Sequence, residues 1–504
     1  MRRREGGRRG SRPLGRPDRM SGPEAGLEFC PEHDGAMPKI DIRNVRSFIV
    51  GVDREVPDAF GRRVPYVNLD NAATTPPLLP VLDCSRRFYE WYASVHRGTG
   101  FKSLLSTHVY EKCREVVAAF VGADLQHHTL IFTPNATHAL NKLASRFAGC
   151  PDGAIVTTTM EHHSNLLPWR RLGGRILYAN IRAADGSLDL EDLESKIRSV
   201  SGRLRLVTVT AGSNVTGAMP PIRRIARLAH AHGALIAVDA TQIVAHRPFS
   251  LGAPDDPARV DFAVFSGHKM YAPFGSGVLV GPRRFFEEGA PDAVGGGTAN
   301  SVTLDEVLWA EPPEKEEAGT PNVPGAVALA SAVRTLQAIG MESIAEHERA
   351  LTRRALERLS KIPGLRLYGS LDPTLAEDRL GIISMTAAAL DHAKLAAALG
   401  YEWGIGVRNG CFCAQPYVRI LLNLSDEETK AIAERLAAGD HVTVPGFVRA
   451  SFGVYNTEDE VDVLCEAVRK LLSDGPRQRY VFDAVQGAFV PERPAFRIED
   501  YAPI

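Results

Sequence analysis

The chain has 504 residues, 44% hydrophobic and 24% charged, which excludes a wholly disordered, collagen-like or coiled-coil protein and predicts two or three domains. Its net charge of −1 gives no reason to expect a nucleic-acid partner, and no run approaches the ~18 apolar residues of a membrane-spanning helix. Seven scattered cysteines, an odd number, do not form the framework of a secreted disulfide-rich domain. They indicate a reducing compartment, and we expect a cytoplasmic protein.

The N-terminus differs from the rest of the chain in its charge. Residues 1–20 hold eight Arg against two acidic residues, a net charge of +6. The segment lacks the apolar stretch of a secretory signal, and its Gly and Pro disfavour an amphipathic helix. We predict a disordered extension over residues 1–40. A transit peptide, or a true start at Met20 or Met37, remains an alternative.

Between residues 66 and 310, short β-rich stretches alternate with helical ones. Runs such as Leu235–Asp239 are continuously hydrophobic, which is typical of strands buried on both faces of a mostly parallel sheet. The predicted strands are Leu130–Phe132, Ala154–Thr158, Arg175–Tyr178, Leu204–Thr210, Leu235–Asp239, Phe262–Phe265 and Gly277–Val280. The predicted helices are Thr107–Val121, Thr137–Phe147, Leu190–Ser199 and Ile222–His232. The alternation predicts a large α/β domain over residues 41–325.

A smaller unit is predicted after a polar, Pro-rich stretch. Its elements are a long helix from Ala326 towards Leu359, strands Ile382–Met385 and Phe447–Ser451, and a closing helix Glu458–Leu472. We predict a connecting helix and a small C-terminal α/β domain over residues 326–475. Residues 476–504 keep aromatic side chains among prolines, which favours an extended strap packed on the surface.

Two polar residues follow predicted strands of the large domain. Asp239 ends one strand, and Lys269 follows another, beside Ser266 and His268. Ligands of open α/β sheets bind at the carboxyl ends of the strands. A desolvated lysine can form a Schiff base with an aldehyde, and an aspartate can keep a pyridine nitrogen protonated. The set predicts pyridoxal 5′-phosphate, whereas either residue alone is more simply a surface lysine or a helix cap.

A series of motifs carries a resemblance between Tyr66 and Leu472. They are YVNLDNAAT (66–74), SVHRG (94–98), TMEHHSNLLPW (159–169), TAGSNVTG (210–217), VDATQ (238–242), FSGHKMYAPFGSG (265–277), EAGTPN (317–322), VRNGCFCAQP (407–416) and VRASFGVYNT (448–457). In this order they resemble the class V aminotransferase family, and within it the SufS-like cysteine desulfurases and selenocysteine lyases. The resemblance implies a fold-type I transferase dependent on pyridoxal phosphate: a large domain with a mostly parallel sheet and a small C-terminal α/β domain.

The resemblance implies roles for the residues around the cofactor ring. Lys269 matches the lysine that binds the cofactor aldehyde, and Asp239 matches the partner of the pyridine nitrogen. Gln242 matches the donor to the phenolic oxygen. His162 matches the imidazole stacked on the ring, where a flat group clamps the cofactor plane. We assign no role to His163.

The phosphate is expected at a helix N-terminus, where free N–H groups and the helix dipole favour an anion. By resemblance, Thr137, Ser266 and His268 contact it, and Thr320 is contributed by a neighbouring subunit, which implies a homodimer. The family usually has two threonines here, whereas residues 135–138 read Asn-Ala-Thr-His. The phosphate site therefore lacks one hydroxyl but keeps its backbone amides.

The remaining assignments concern the substrate and the reaction. Arg449 matches the arginine that binds the substrate carboxylate through a planar fork. Asn214 matches the asparagine between cofactor and carboxylate, and Arg408 lies five residues before Cys413, which matches the desulfurase cysteine. The resemblance therefore implies conversion of L-cysteine to L-alanine, with sulfur passing through a persulfide on Cys413 to an acceptor protein.

Departures from the family keep other reactions open. Cys411 and Phe412 stand where the family usually has two histidines, and a helical insertion at residues 426–440 follows. The alternatives are a selenocysteine lyase, a C–S lyase, an epimerase, an aminotransferase acting on a related amino acid, or a non-catalytic scaffold. The spacing of Cys411 and Cys413 matches no common zinc module, and we predict no metal site.

Overall fold

The computed structural model describes residues 39–148, 153–372, 379–439 and 444–502, so the predicted N-terminal extension lies almost wholly outside the described residues. The described residues cluster as one compact unit, and the domain boundary near residue 325 stays a prediction. The helices are α1 (Leu79–Tyr89), α2 (Phe101–Phe120), α3 (Ala136–Arg146), α4 (Leu167–Arg170), α5 (Leu190–Ser199), α6 (Ile222–Ala231), α7 (Arg283–Glu287), α8 (Val323–Ile339), α9 (Met341–Leu359), α10 (His392–Trp403), α11 (Gln415–Leu421), α12 (Asp426–Ala437) and α13 (Glu458–Asp474).

Most strands are short, and several pair only locally. They are β1 (Glu55–Pro57), β2 (Arg63–Pro65), β3 (Val67–Asn68), β4 (His128–Thr133), β5 (Ala154–Thr158), β6 (Arg175–Ala179), β7 (Leu204–Thr210), β8 (Leu235–Asp239), β9 (Phe262–Ser266), β10 (Gly277–Pro282), β11 (Ala299–Val302), β12 (Val307–Trp309), β13 (Leu365–Tyr368), β14 (Ile382–Ala387), β15 (Ile405–Gly406), β16 (Arg408–Gly410), β17 (Phe447–Ser451), β18 (Tyr480–Asp483) and β19 (Ala488–Pro491).

The central sheet has the order β4-β10-β9-β8-β7-β5-β6 among the described residues. β10 runs antiparallel to both of its neighbours, and the other pairs are parallel. Every residue of β5 and β9 is buried, which explains the continuous hydrophobic pattern. All seven predicted strands are confirmed, three at their predicted bounds. The four predicted helices are confirmed as well, although α2 begins earlier than predicted, at Phe101.

A four-stranded antiparallel sheet, β13-β14-β17-β16, forms the second layer. Its apolar side chains pack with α9, α10 and α13 around buried residues that include Leu356, Leu399 and Leu464. In its register Arg449 of β17 pairs with Ser384 on one side and Arg408 on the other. The small sheet therefore places both predicted arginines side by side.

The predicted long helix from Ala326 to Leu359 is wrong in one respect, because it is two helices. α8 and α9 meet at Gly340, whose φ of 93° is disfavoured for other residues, and their axes differ by 76°. Among the described residues no single helix is long and apolar enough to cross a membrane. This bent pair passes such a test by length and composition only, and α8 is largely buried inside the protein.

The C-terminal segment differs from the extended strap predicted for it. β18 and β19 form an antiparallel hairpin in which the rings of Phe482 and Phe489 lie 5.5 Å apart. Arg477 binds the buried carboxylate of Glu402 in α10 at 3.1 Å, which fastens the segment to the small-sheet layer. The insertion predicted at residues 426–440 is helical, because α12 covers most of it. A capping box formed by Ser425 and Glu428 begins this helix.

Candidate active site

A cavity of about 540 Å³ opens where β8 and β9 end and α3 begins. Eleven of the twelve predicted site residues line it, drawn from both sheet layers: Lys269, Cys413, His162, Asp239, Gln242, Thr137, Ser266, His268, Asn214, Arg449 and Arg408. Thr320 is exposed and does not line this cavity. Its predicted role in a neighbouring subunit stays a prediction.

Burial in the cavity favours the neutral forms of Lys269, His162 and His268. Lys269 is partly accessible, yet burial lowers the pKa of its amine to about 8, and the nearby Arg449 acts in the same direction. Burial, followed by the charge of Lys269, lowers the pKa of His162 to about 3 and that of His268 to about 4. Both imidazoles are therefore uncharged near neutral pH, and an amine with a pKa near 8 is readily deprotonated for reaction with an aldehyde.

Asp239 is the last residue of β8, Gln242 follows three residues later, and both line the cavity. Burial raises the pKa of Asp239, while a hydrogen bond from the Thr241 N–H at 3.0 Å stabilises its charged form. A buried carboxylate of this kind is suited to a protonated ring nitrogen. Gln242 donates through Nε2 to the carbonyl oxygen of Ala72 at 2.9 Å, and this contact orients its amide in the cavity wall.

The N-terminus of α3 forms the predicted phosphate end. Asn135 caps the helix by accepting the His138 N–H at 2.9 Å, and the Ala136 N–H donates to Ser266 Oγ at 2.7 Å. Two first-turn amides are therefore engaged within the protein. A side chain at Gly277 would lie 2.5 Å from the backbone of Asn135, so only glycine permits this approach. Thr137 is exposed, and its hydroxyl contacts that of Ser164 at 2.7 Å.

Arg449 is buried at the side of the cavity formed by β17. Its Nη2 binds Asp70 at 3.0 Å, and its Nη1 donates to the carbonyl oxygen of Asn214 at 2.9 Å. Its Nε is buried without a hydrogen-bond partner among the described residues. Arg408 binds the other oxygen of Asp70 at 2.9 Å. A buried guanidinium with an unused donor is suited to a substrate carboxylate.

Cys413 is exposed and lies in the turn between β16 and α11. The turn is tied to the large-sheet layer because the His163 N–H donates to the Cys413 carbonyl oxygen at 2.7 Å. His163 Nε2 also accepts the Gln415 N–H at 3.3 Å. Cys411 is half-buried; its thiol donates to the Pro445 carbonyl at 3.4 Å, and burial raises its pKa. Of the two thiols, only Cys413 lines the cavity.

Sequence reasoning missed Asp70, Phe412 and His163 as site residues. Asp70 belongs to the motif YVNLDNAAT, which is a signal that it lies near the site, but nothing in the sequence pairs it with the two arginines. In the sequence Phe412 stands out only as a departure from the family, yet its ring lies 4.6 Å from the guanidinium carbon of Arg449. The motifs assign no role to His163, although its backbone N–H and its Nε2 hold the Cys413 turn.

The groups in this cavity fit pyridoxal phosphate. An amine with a lowered pKa can take the aldehyde, a buried carboxylate can take the ring nitrogen, and a neutral imidazole can cover the ring. At the N-terminus of α3 the Ala136 and His138 N–H groups have partners within the protein. Thr137 and Ser266 line the cavity, so their hydroxyls and the helix dipole can take the phosphate. Fold and donor set together define the cavity of a fold-type I enzyme.

Comparisons with known proteins agree with this class. The model of the family "Aminotransferase class-V" matches residues 67–464. A probable cysteine desulfurase of Streptomyces coelicolor is 35% identical over 85% of this chain and 96% of its own length. A cysteine desulfurase of Escherichia coli strain SE11 is 34% identical over 81% of this chain and 94% of its own length. The chain belongs to the class V aminotransferase family.

Solved structures support the same fold. The apo structure of a cysteine desulfurase from Thermococcus onnurineus NA1 is 32% identical, with a TM-score of 0.74, and the match covers 86% of this chain and 99% of that one. The cysteine desulfurase CsdA of Escherichia coli is 29% identical, with a TM-score of 0.70, over 86% of this chain and 98% of that one.

Proposed function

We propose that this protein is a pyridoxal 5′-phosphate-dependent cysteine desulfurase that converts L-cysteine to L-alanine and passes the sulfur through a persulfide on Cys413. The observation that carries the proposal is that the exposed thiol of Cys413 lines the same cavity as Lys269, Asp239 and Arg449. A transaminase or an epimerase would have no use for a thiol at that place. The names of the relatives support the same reaction.

The residues of the cavity divide the work of binding and proton transfer. When bound, pyridoxal phosphate acts as an electron sink for bonds at the substrate α-carbon. Arg449 binds the substrate carboxylate and fixes the orientation of the α-carbon. Lys269 holds or moves the proton at that carbon, because a pKa of about 8 makes both protonation states available near neutral pH. His162, which lines the cavity and is uncharged near neutral pH, would cover one face of the cofactor ring.

Cys413 performs the sulfur transfer. Its thiolate attacks the substrate sulfur, so that a new S–S bond forms while the substrate C–S bond breaks. The electron pair of the broken bond stays with the former substrate, whose β-carbon takes up a proton before alanine leaves. The persulfide then stands on an exposed residue, where an acceptor protein or a thiol can reach it.

A matched pair of cysteine variants tests the proposal. We expect Cys413→Ser to keep the visible absorbance of the cofactor and its shift on addition of L-cysteine, but to form no protein-bound persulfide. Cys411→Ser, two residues away and outside the cavity, should still form the persulfide on Cys413. Mass spectrometry of peptides after a single pulse of L-cysteine, with alanine and sulfide measured in parallel, checks both expectations.

Three results would contradict this proposal. Persulfide on Cys411 in the Cys413→Ser variant would show that Cys411, and not Cys413, is the nucleophile. Sulfide or keto acid production that neither variant changes would indicate a C–S lyase, a selenocysteine lyase or an aminotransferase instead. A colourless protein that never binds the cofactor would indicate a scaffold.

We further propose a cytoplasmic homodimer in which Thr320 completes the phosphate site of the neighbouring subunit. The position of Thr320, exposed and away from the cavity of its own chain, supports this arrangement. Sedimentation of the holoenzyme tests the dimer. Mixed dimers test the composite site, with Lys269→Ala in one subunit and Thr320→Ala in the other. One of the two sites then has both Lys269 and Thr320 intact, so partial activity should return.

A further inference from the structure

The thiol of Cys413 stands on a turn with an unusual backbone. The Ala414 N–H donates to the Cys411 carbonyl at 2.9 Å, which closes a four-residue turn. Its two central residues, Phe412 and Cys413, have φ values of 53° and 54°. Residues other than Gly, Asn and Asp seldom adopt this left-handed region, and two in succession require strong support from the surroundings.

The support comes from residues that also form the substrate site. Asn214 Nδ2 donates to the Phe412 carbonyl at 2.8 Å, while the carbonyl of the same Asn214 accepts Nη1 of Arg449 at 2.9 Å. The ring of Phe412 returns to Arg449, with its centroid 4.6 Å from the guanidinium carbon. Arg449, Asn214 and Phe412 therefore form a closed ring of contacts, and Cys413 is the next residue along the chain.

The contacts among Arg449, Asn214 and Phe412 leave the guanidinium able to bind a carboxylate and an aromatic side chain at the same time. A carboxylate pairs with a guanidinium along its planar edge, whereas an aromatic ring stacks on its face. Asp70 occupies Nη2, and the buried Nε has no hydrogen-bond partner among the described residues. Because Nε is buried and Asp70 holds Nη2, a substrate carboxylate that takes Nε and Nη2 together must displace Asp70 and reorient the guanidinium. Phe412, packed on its face, then has to follow.

We propose that Phe412 is a positioning residue that couples occupation of the carboxylate site at Arg449 to the placement of the Cys413 thiol. The inference rests on the proposed function, since it assigns a task to the thiol of that same site. It gives a physical reason for an aromatic residue at a left-handed position. When the amino acid binds Arg449, the Phe412 side chain moves with the guanidinium. The turn of residues 411–414 then changes as well, because its left-handed backbone depends on contacts with its surroundings.

The test measures the reactivity of the thiol rather than turnover. In the holoenzyme, the alkylation rate of Cys413 by iodoacetamide is followed by peptide mass spectrometry, with and without saturating L-alanine, which offers the same carboxylate but no sulfur. We expect L-alanine to change this rate by at least about fivefold, the lower end of usual coupling between sites. Phe412→Leu, which keeps an apolar side chain but loses the ring, should bring the ratio close to one.

Two further variants distinguish coupling between Arg449 and the Cys413 thiol from a general loss of structure. Phe412→Tyr keeps the ring and should restore the ratio. Phe60→Leu removes a stacked ring elsewhere, since Phe60 lies 4.8 Å from the guanidinium carbon of Arg477, and it should leave the ratio unchanged. The affinity for L-alanine, taken from the cofactor absorbance, ensures saturation of each variant.

An unchanged alkylation ratio in saturated Phe412→Leu, or no effect of L-alanine on the unsubstituted protein, would overturn the inference. Failure of the proposed function is seen separately. In that case the unsubstituted enzyme forms no persulfide on Cys413, whatever its alkylation ratio.

Discussion

Arg449 illustrates how one residue acquires its role from distant parts of the chain. Its charge is buried, and burial lowers its pKa, but Asp70 opposes that effect by supplying a carboxylate. Asp70 in turn binds Arg408, so one acidic group holds two cations that line the cavity. Asp70 therefore keeps the guanidinium charged and holds it beside the cavity until a substrate carboxylate competes for it.

We expect Arg449→Lys to weaken L-alanine binding by roughly 10- to 150-fold, because the loss of a charge-assisted hydrogen bond costs about 1.5–3 kcal/mol. A lysine keeps the charge but has no planar fork. Titration of the cofactor absorbance with L-alanine measures the effect. Arg354→Lys, a change on the surface, serves as the control. Equal affinities in the two variants would show that the carboxylate binds elsewhere.

At the residue scale, the sequence was most informative where chemistry depends on local position. The pattern predicts Asp239 and Lys269 as site residues because the first ends a buried strand and the second follows one, and both line the cavity. The contacts of Asp70 could not be predicted in the same way, because Asp70 and Arg449 are 379 positions apart and meet only through the fold. Phe412 presents the same difficulty, since nothing near it in the sequence indicates its stacking partner.

At the element scale, the structure departs from the sequence pattern at the break between α8 and α9. The hydrophobic pattern continues through Gly340, and an isolated glycine is often tolerated inside a helix. The structure instead uses Gly340 to turn the chain by 76° with φ and ψ of 93° and 119°. Periodicity shows which residues are helical, but it does not show where two helical segments change direction.

We expect Gly340→Ala to reduce the free energy of unfolding by ~1–3 kcal/mol, the usual cost of a strained backbone position. A Cβ at Gly340 would lie 3.6 Å from Ser343 Oγ, so the cost comes from the backbone and not from a clash. Urea unfolding measures the change. Gly296→Ala is the control, because that glycine has no positive φ and open space around it. Equal stability of the two variants would contradict the assigned strain.

At the scale of the whole molecule, a buried charge cluster joins α9 to the segment that follows β8. Glu348 of α9 binds Nη1 of Arg247 at 2.7 Å and the ring of His246. Arg247 also donates to the carbonyl of Arg379 at 2.7 Å, and Arg379 itself is fully buried. Such a cluster is satisfied only as a complete set, so removal of one charge leaves the others without compensation.

The cluster predicts a loss of stability in acid. Burial opposes the charge of Glu348, but His246 and Arg247 outweigh it and lower the pKa of the carboxyl from 4.5 to about 2. A folded-state pKa below the unfolded value contributes stability above pH 4.5, and that contribution is lost as the pH falls from 4.5 towards 2. We expect Glu348→Gln to lose ~3–5 kcal/mol of stability at pH 7. At pH 3 the difference in the free energy of unfolding between this variant and the unsubstituted protein should be smaller than at pH 7. Urea unfolding at both pH values measures it, with exposed Glu346→Gln on the same helix as control. A difference that is the same at pH 7 and pH 3 would show that packing, rather than the charge of Glu348, holds this junction together.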